Sequence, residues 1–209
     1  MPCPSRRTLF LLLPVVGATI FPLLALGQST DANVDRNMIL HDPAAPVGGN
    51  PNGDITIIAF TDYNCPFCKK SSPDLDRIVK EDGHVRVIYK EWPILAATSK
   101  SGARLAIAAN YQGKYETAHR ALMAIPGGKV TEERMLEALK STDIDMNRLA
   151  SDMKAHQSEI DALIQRNSDQ ADSLGFQGTP TYLIGSFLAS ALDYAGFKRT
   201  IAEARQESN

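Results

Sequence analysis

Apolar positions along the chain change period several times, and each change marks an element. Asp54-Ile55-Thr56-Ile57-Ile58-Ala59-Phe60 is β-branched and apolar, as a buried strand would be. A helical pattern begins at Pro66 and runs through Ile78-Val79-Lys80. His84-Val85-Arg86-Val87-Ile88-Tyr89 alternates like a second strand, ended by Trp92-Pro93. From Thr98 to about Leu174 the spacing is helical. Leu105, Ala106, Ala108 and Ala109 give one segment, and Tyr115, Ala118 and Leu122 the next. Gly127-Gly128 breaks the run, and Thr131-Glu132-Glu133 restarts it. A long amphipathic stretch follows through Leu149, Met153, Ile160 and Ile164. Thr181-Tyr182-Leu183-Ile184 predicts a third strand, and Ser186-Phe187-Leu188 a fourth across a tight turn at Gly185. Asp193 is placed to cap a last helix over 194–205. The order is strand, helix, strand, helical block, strand, strand, helix. Strands on both sides of the block can share one sheet, which makes the class α/β with a helical insertion. The expected boundaries are 54–97 and 175–209 for the two sheet-forming parts and 98–174 for the insertion.

Two segments of different character precede this pattern. Residues 9–26 carry no charge, follow Arg6 and Arg7, and end in the small-residue exit Ala25-Leu26-Gly27. That layout predicts a secretory signal peptide over 1–27. Its length is near the minimum for a spanning helix, but Pro14, Pro22 and the cleavage-like end favour removal. Ser5-Arg6-Arg7-Thr8-Leu9-Phe10 also resembles a twin-arginine export signal, so both the Sec and twin-arginine routes are open. Residues 28–53 turn from polar to Pro/Gly/Asn-rich and predict a loose leader whose last part crosses the surface.

Removing the signal changes the arithmetic of charge and cysteine. The chain holds 22 Lys and Arg against 24 Asp and Glu, and loss of Arg6 and Arg7 leaves 20 basic residues. A mildly acidic chain without long charge runs argues against nucleic acid as a partner. Cys3 leaves with the signal, so only Cys65 and Cys68 remain. An exported protein lives where disulfides persist, yet a bridge between these two closes a tiny loop and stabilises little. The pair is better suited to chemistry than to stapling.

Phe60-Thr61-Asp62-Tyr63-Asn64-Cys65-Pro66-Phe67-Cys68-Lys69 stands where the first strand passes into a helix. Pro66 suits the first helical position and so puts Cys65 at the N-cap. Free amide groups and the positive helix end there favour thiolate over thiol, as a nucleophile at neutral pH requires. Cys68 lies one helical turn on and deeper. Cys65 is therefore expected to attack and Cys68 to resolve. A zinc site would need two further ligands, and His41, His84, His119 and His156 are scattered. A c-type haem would need His at position 69, which is Lys. No metal and no cofactor is expected.

Gly178-Thr179-Pro180-Thr181 opens the third strand, where a proline belongs at the start or on an edge. Cys65-Pro66-Phe67-Cys68, Lys90-Glu91-Trp92-Pro93-Ile94-Leu95 and Gly178-Thr179-Pro180-Thr181, in this order around a helical block, resemble the DsbA-like thioredoxin-fold family, in its Com1/ScsC/BdbD-type branch. The likeness covers nearly all of 54–205. It implies a thioredoxin fold with an inserted helical domain and a cis peptide bond before Pro180, packed against the sulfurs. It also implies that Thr179 offers backbone groups to an extended substrate segment.

Two positions depart from that family. An acid that assists proton transfer commonly stands six residues before the first cysteine, and here that position is Ala59. Asp62 and Glu91 are the candidates to replace it, although a solvated surface charge is the favoured reading of both. Phe67 stands where the DsbA enzymes carry His, which removes one stabiliser of the reduced form. Lys69 and Lys70 add positive charge, expected on flexible, hydrated stems.

The leading expectation is a periplasmic oxidase that donates its disulfide to exported proteins with free cysteines. The resemblance implies a DsbB-like membrane protein for its re-oxidation. A disulfide isomerase or reductase is the second expectation, kept open by the Thr before Pro180. Residues 28–53 are too short and too Pro/Gly-rich for an oligomerising region, so a monomer is expected. A non-catalytic copper-binding or chaperone module is the third, and it would need soft ligands near the pair. Met123, Met135, Met146 and Met153 lie in the helical block, where a core role is expected.

Overall fold

The computed structural model describes Met1 and residues 36–207. Apart from Met1, the expected signal peptide falls outside the described residues, as does Cys3. The described chain begins with α1 (Arg36–His41) and β1 (Val47–Gly49), both within the stretch expected to be a loose leader. That expectation is corrected. The Tyr89 amide donates to the Pro46 carbonyl at 3.0 Å, and Ile39 is buried in a core cluster. A side chain at Gly48 would meet the Tyr89 ring and the Glu116 carboxylate, both of which would have to shift. The glycines and prolines of this stretch serve close approach to the sheet rather than freedom.

Strand β2 (Ile55–Thr61) is the axis of the sheet. It pairs in parallel with β3 (Val85–Glu91), with Ile55 opposite Val85 and Thr61 opposite Glu91. On its other side it pairs antiparallel with β4 (Thr181–Ile184), with Ala59 opposite Tyr182. β1 flanks β3, and β5 (Phe187–Ala189) flanks β4, both antiparallel, so the order is β1-β3-β2-β4-β5. A parallel pair needs a long crossover, and α2 (Pro66–Asp82) supplies it between β2 and β3.

Five helices separate β3 from β4: α3 (Ala97–Asn110), α4 (Tyr115–Met123), α5 (Glu132–Lys140), α6 (Met146–Ala155) and α7 (Gln157–Ser173). The amphipathic stretch expected to be continuous is two helices, α6 and α7, that meet at His156. Side-chain caps set the starts of the later helices. Thr131 accepts from the Arg134 amide, and Asp145 from the amides of Asn147 and Arg148. Asp193 accepts from the Gly196 amide at 2.8 Å and so begins the last helix, α8 (Tyr194–Glu207).

Side-chain alternation along the strands divides the core into two layers. Ile57, Ala59, Val87 and Tyr182 face α2, α8 and most of the inserted helices, among them Leu75, Phe197, Leu105 and Leu122. Ile58, Phe60 and Ile88 face the opposite way, toward Ile39, Trp92, Ala171 and Phe176. Both faces are covered, which explains why β2 reads as an apolar run rather than an alternation.

The Phe60 ring is fully buried, 5.2 Å from Phe176 and 6.2 Å from Trp92, edge to face with both. Phe60→Ala is expected to lower the unfolding free energy by about 3–5 kcal/mol, read as a lower urea midpoint at unchanged slope. A loss below about 1 kcal/mol would show that this second layer carries little of the fold.

Candidate functional site

Cys65 has an extended backbone (φ −81°, ψ 116°), as an N-cap residue must, and Pro66 fills the next position. The Cys65 sulfur accepts the Cys68 amide at 3.3 Å. Phe67, between them, is 64% exposed. The cysteines are free thiols, and both are buried, Cys65 at 2% exposed and Cys68 at none.

The loop between β2 and α2 is held at three consecutive residues. Asp62 accepts from the Asn64 amide at 2.7 Å and, through its other oxygen, from the Ile94 and Leu95 amides at 2.8 and 2.9 Å. Tyr63 donates to Glu91 at 2.6 Å. Asn64 donates to Thr98 and Ser99 at 3.1 and 3.0 Å and accepts from the Val130 amide at 2.6 Å. The loop that carries Cys65 is thus tied to β3, to the start of α3 and to the turn before α5.

The thiols differ sharply in acidity. Cys65 is brought down from 9.0 to about 6, first by its hydrogen bond with the Cys68 side chain and against the penalty of burial. The Thr179 side chain and the amides of Cys68 and Phe67 add to the lowering. Cys68 is pushed far up, by burial first and then by Cys65. Thr179 acts in both senses. Its carbonyl accepts from the Cys65 thiol at 3.1 Å, a bond that only the protonated form can make. Its side chain favours both thiolates, and its hydroxyl is buried without a hydrogen-bond partner. The Thr179–Pro180 peptide bond is cis.

Three expectations about charge are corrected. Asp62 and Glu91 are not solvated, each being 1% exposed. Asp62 caps a turn, and Glu91 lies within a buried cluster, so neither follows the favoured surface reading. Lys69 is not on a free stem, because its ammonium donates to the Ile125 and Gly127 carbonyls at 2.7 and 2.6 Å. Desolvation lowers its pKa, and the sulfurs and Asp62 pull the other way.

The cluster around Glu91 was not legible in the sequence. One Glu91 oxygen accepts from Tyr63 at 2.6 Å and from Tyr115 at 2.5 Å, and the other is buried without a partner. The Tyr63 oxygen lies 3.0 Å from His119 Nδ1. Which of these two atoms donates follows the His119 tautomer. Burial pushes Glu91 up to about 8, opposed by the two phenols, and pushes His119 down to about 3. Tyr115 and His119 are four residues apart and share one face of α4. Nothing in their spacing points to Glu91.

Among the described residues no group of three or more His, Cys, Asp or Glu could hold a metal. Met123 and Met135 are buried in the core, with Met146 and Met153 packed against it.

A family model described as "Thioredoxin" matches residues 41–203. A thioredoxin-like oxidoreductase from Silicibacter pomeroyi is 38% identical, with 82% of this chain and 98% of that one covered and a TM-score of 0.76. The thiol–disulfide exchange protein α-DsbA2 from Wolbachia pipientis is 28% identical, with 80% and 90% covered and a TM-score of 0.74. A probable disulfide bond formation protein D from Bacillus anthracis is 24% identical over 165 residues, which are 73% of this chain and 75% of that protein. The chain spans about a quarter of the length of the curated sodium–proton antiporters that it also matches.

The buried cluster predicts a stability profile with two opposing limbs. Between its ordinary value of 4.5 and about 8, Glu91 keeps a proton in the folded protein that the unfolded chain releases, so stability falls as pH rises. Between about 3 and 6.5, His119 stays neutral when folded but protonates when unfolded, so stability falls as pH drops. Glu91→Gln keeps an acceptor for the phenols and removes the first limb. Its stability relative to the parent is expected to rise by at least about 1 kcal/mol from pH 5 to pH 8 in urea titrations. A difference independent of pH would exclude Glu91 as a buried titrating group.

Proposed function

Because the chain belongs to the DsbA-like thioredoxin-fold family, we propose that it is a periplasmic thiol–disulfide oxidoreductase that donates the Cys65–Cys68 disulfide to exported proteins with free cysteines. The observation that carries this reading is the contrast between the two sulfurs: Cys65 caps the helix start and accepts the Cys68 amide at 3.3 Å, while Cys68 is fully buried one turn on. The first pKa is lowered to about 6 and the second is raised.

The reaction follows from that contrast. In the oxidised enzyme, a substrate thiolate attacks Cys65, forming one sulfur–sulfur bond and breaking another, and Cys68 departs and takes up a proton. A second substrate thiolate then attacks the substrate sulfur of the mixed disulfide and expels Cys65 as a stable thiolate. Two electrons pass from the substrate dithiol to the enzyme disulfide. Stabilising the Cys65 thiolate stabilises the reduced enzyme, which favours the oxidase over the reductase direction. Once Cys65 is bonded or ionised it no longer donates to the Thr179 carbonyl. That carbonyl is then free to accept a backbone amide from the substrate, with Pro180 beside it. Re-oxidation by a DsbB-like membrane protein, and action as a monomer, complete the proposal.

Thiol trapping in cells of the source bacterium should find the pair mostly oxidised. In Cys68→Ser, mixed disulfides should accumulate through Cys65, and in Cys65→Ser none should form. A mostly reduced pair would contradict the oxidase role and favour the isomerase or reductase. Mixed disulfides through Cys68 would overturn the assignment of the nucleophile.

A further inference from the structure

Helix α2 leaves a groove along each of its flanks beside the sulfurs. Positions two apart on a helix point about 200° away from each other. Lys69, Pro73 and Asp76 therefore line one groove, and Phe67, Ser71 and Asp74 the other. The first has a volume of about 540 Å³ and begins at Pro66, next to Cys65. Its far wall is Arg120 and Met123 of α4 with Ile125 and Pro126 of the following turn. The second groove is smaller, about 430 Å³, and balances Lys70 and Arg199 against Asp74 and Asp193.

Charge separates the two. The first groove carries Lys69, Lys70 and Arg120 against Asp76 alone, in a chain whose net charge is −2. Lys69 is held by the Ile125 and Gly127 carbonyls. The Lys70 ammonium has no partner among the described residues, and the only ion pair of Arg120 there is Glu116, at 4.0 Å. Apart from Ser72 the remaining lining is apolar, and Met123 and Ile125 are 4% and 7% exposed. Lys70, unpaired among the described residues, and Arg120, placed between Glu116 and Asp76, thus stand over a mostly apolar floor that begins at Pro66, one residue from the nucleophile.

We propose that this groove receives the extended segment carrying the partner's cysteine, and that it selects segments with a carboxylate two to four residues from that cysteine. The inference rests on the exchange function proposed above and names the substrate class within it. The spacing comes from the helix. Lys70 lies four residues beyond Pro66, about 6 Å along the axis, which an extended chain covers in about two residues. Arg120 stands beside Asp76, farther along, and extends the range. Asp76 opposes an incoming carboxylate, so the preference depends on the two cations outweighing it.

The test uses the unmodified oxidised protein and three reduced two-cysteine peptides that differ only two to four residues from the reacting cysteine, where they carry Asp, Ser or Lys. Oxidation rates are expected in the order Asp, Ser, Lys. The span should be about two- to tenfold at low ionic strength, collapsing near 1 M salt, where the screening length is about 3 Å. In a Lys70→Glu, Arg120→Glu double variant the order should invert. Equal rates for the Asp and Lys peptides at low salt overturn the proposal, as does an unchanged order in the double variant. Dithiothreitol separates this failure from that of the function itself. An unmodified protein that oxidises dithiothreitol but treats the peptides alike contradicts the groove alone. One that leaves dithiothreitol unoxidised contradicts disulfide donation.

Discussion

The interaction on which the site depends is donation from Cys68 to the Cys65 sulfur in the first turn of α2, from its side chain first and then from its amide at 3.3 Å. Burial by itself raises a thiol's pKa, as it does at Cys68. Directed donors reverse that at Cys65, three residues away: the Cys68 side chain first, then the Thr179 side chain and the amides of Cys68 and Phe67. The motif therefore has chemical meaning only in register with the helix. A shift of one residue would move the sulfur off the N-cap and leave two buried, inert thiols. The three anchors at Asp62, Tyr63 and Asn64 fix that register by tying the loop to elements distant in sequence.

The same anchors place buried charge close to the loop. Lys90 and Glu91 are neighbours in β3 and therefore point to opposite faces. Glu91 enters the phenol cluster under the active-site loop. Lys90 is buried on the other face, its ammonium without a hydrogen-bond partner and its pKa lowered to about 8 by burial. Asp42, itself held by Arg166, acts against that lowering, and Arg166 adds to it. The register relates Glu91 to position 59, where the family commonly carries an acid. Ala59 is paired with Tyr89, and Glu91 follows two residues later on the same face. It reaches the loop through Tyr63 instead of from beneath the sulfurs. Of Lys90 and Glu91, only Glu91 is bonded to the loop, through Tyr63.

Much of this was legible because local rules set it. The strand-to-helix passage, Pro66 at the first helical position and the Asp193 cap are decisions of adjacent residues, and all three stand in the structure. The alternation in β3 and the apolar run in β2 likewise located the sheet. What failed to show depends on contacts between distant segments. The leader's glycines signalled a loop, yet Gly48 lies against Tyr89 and Glu116. Lys69 looked solvated because its two carbonyl acceptors lie 56 and 58 residues away. Glu91 looked like surface charge for the same reason, since its partners come from the active-site loop and from α4. The seam at His156 leaves no mark in the apolar spacing, which continues from α6 into α7.

The central claim, that helix-start donors make one of two buried thiols a thiolate, is tested most directly by following ultraviolet thiolate absorbance of the reduced protein against pH. One inflection near pH 6 is expected, lost in Cys65→Ser and retained at somewhat higher pH in Cys68→Ser, where the hydroxyl still donates. An inflection at the ordinary thiol value near 9 would contradict the account, as would a low one that survives the loss of Cys65.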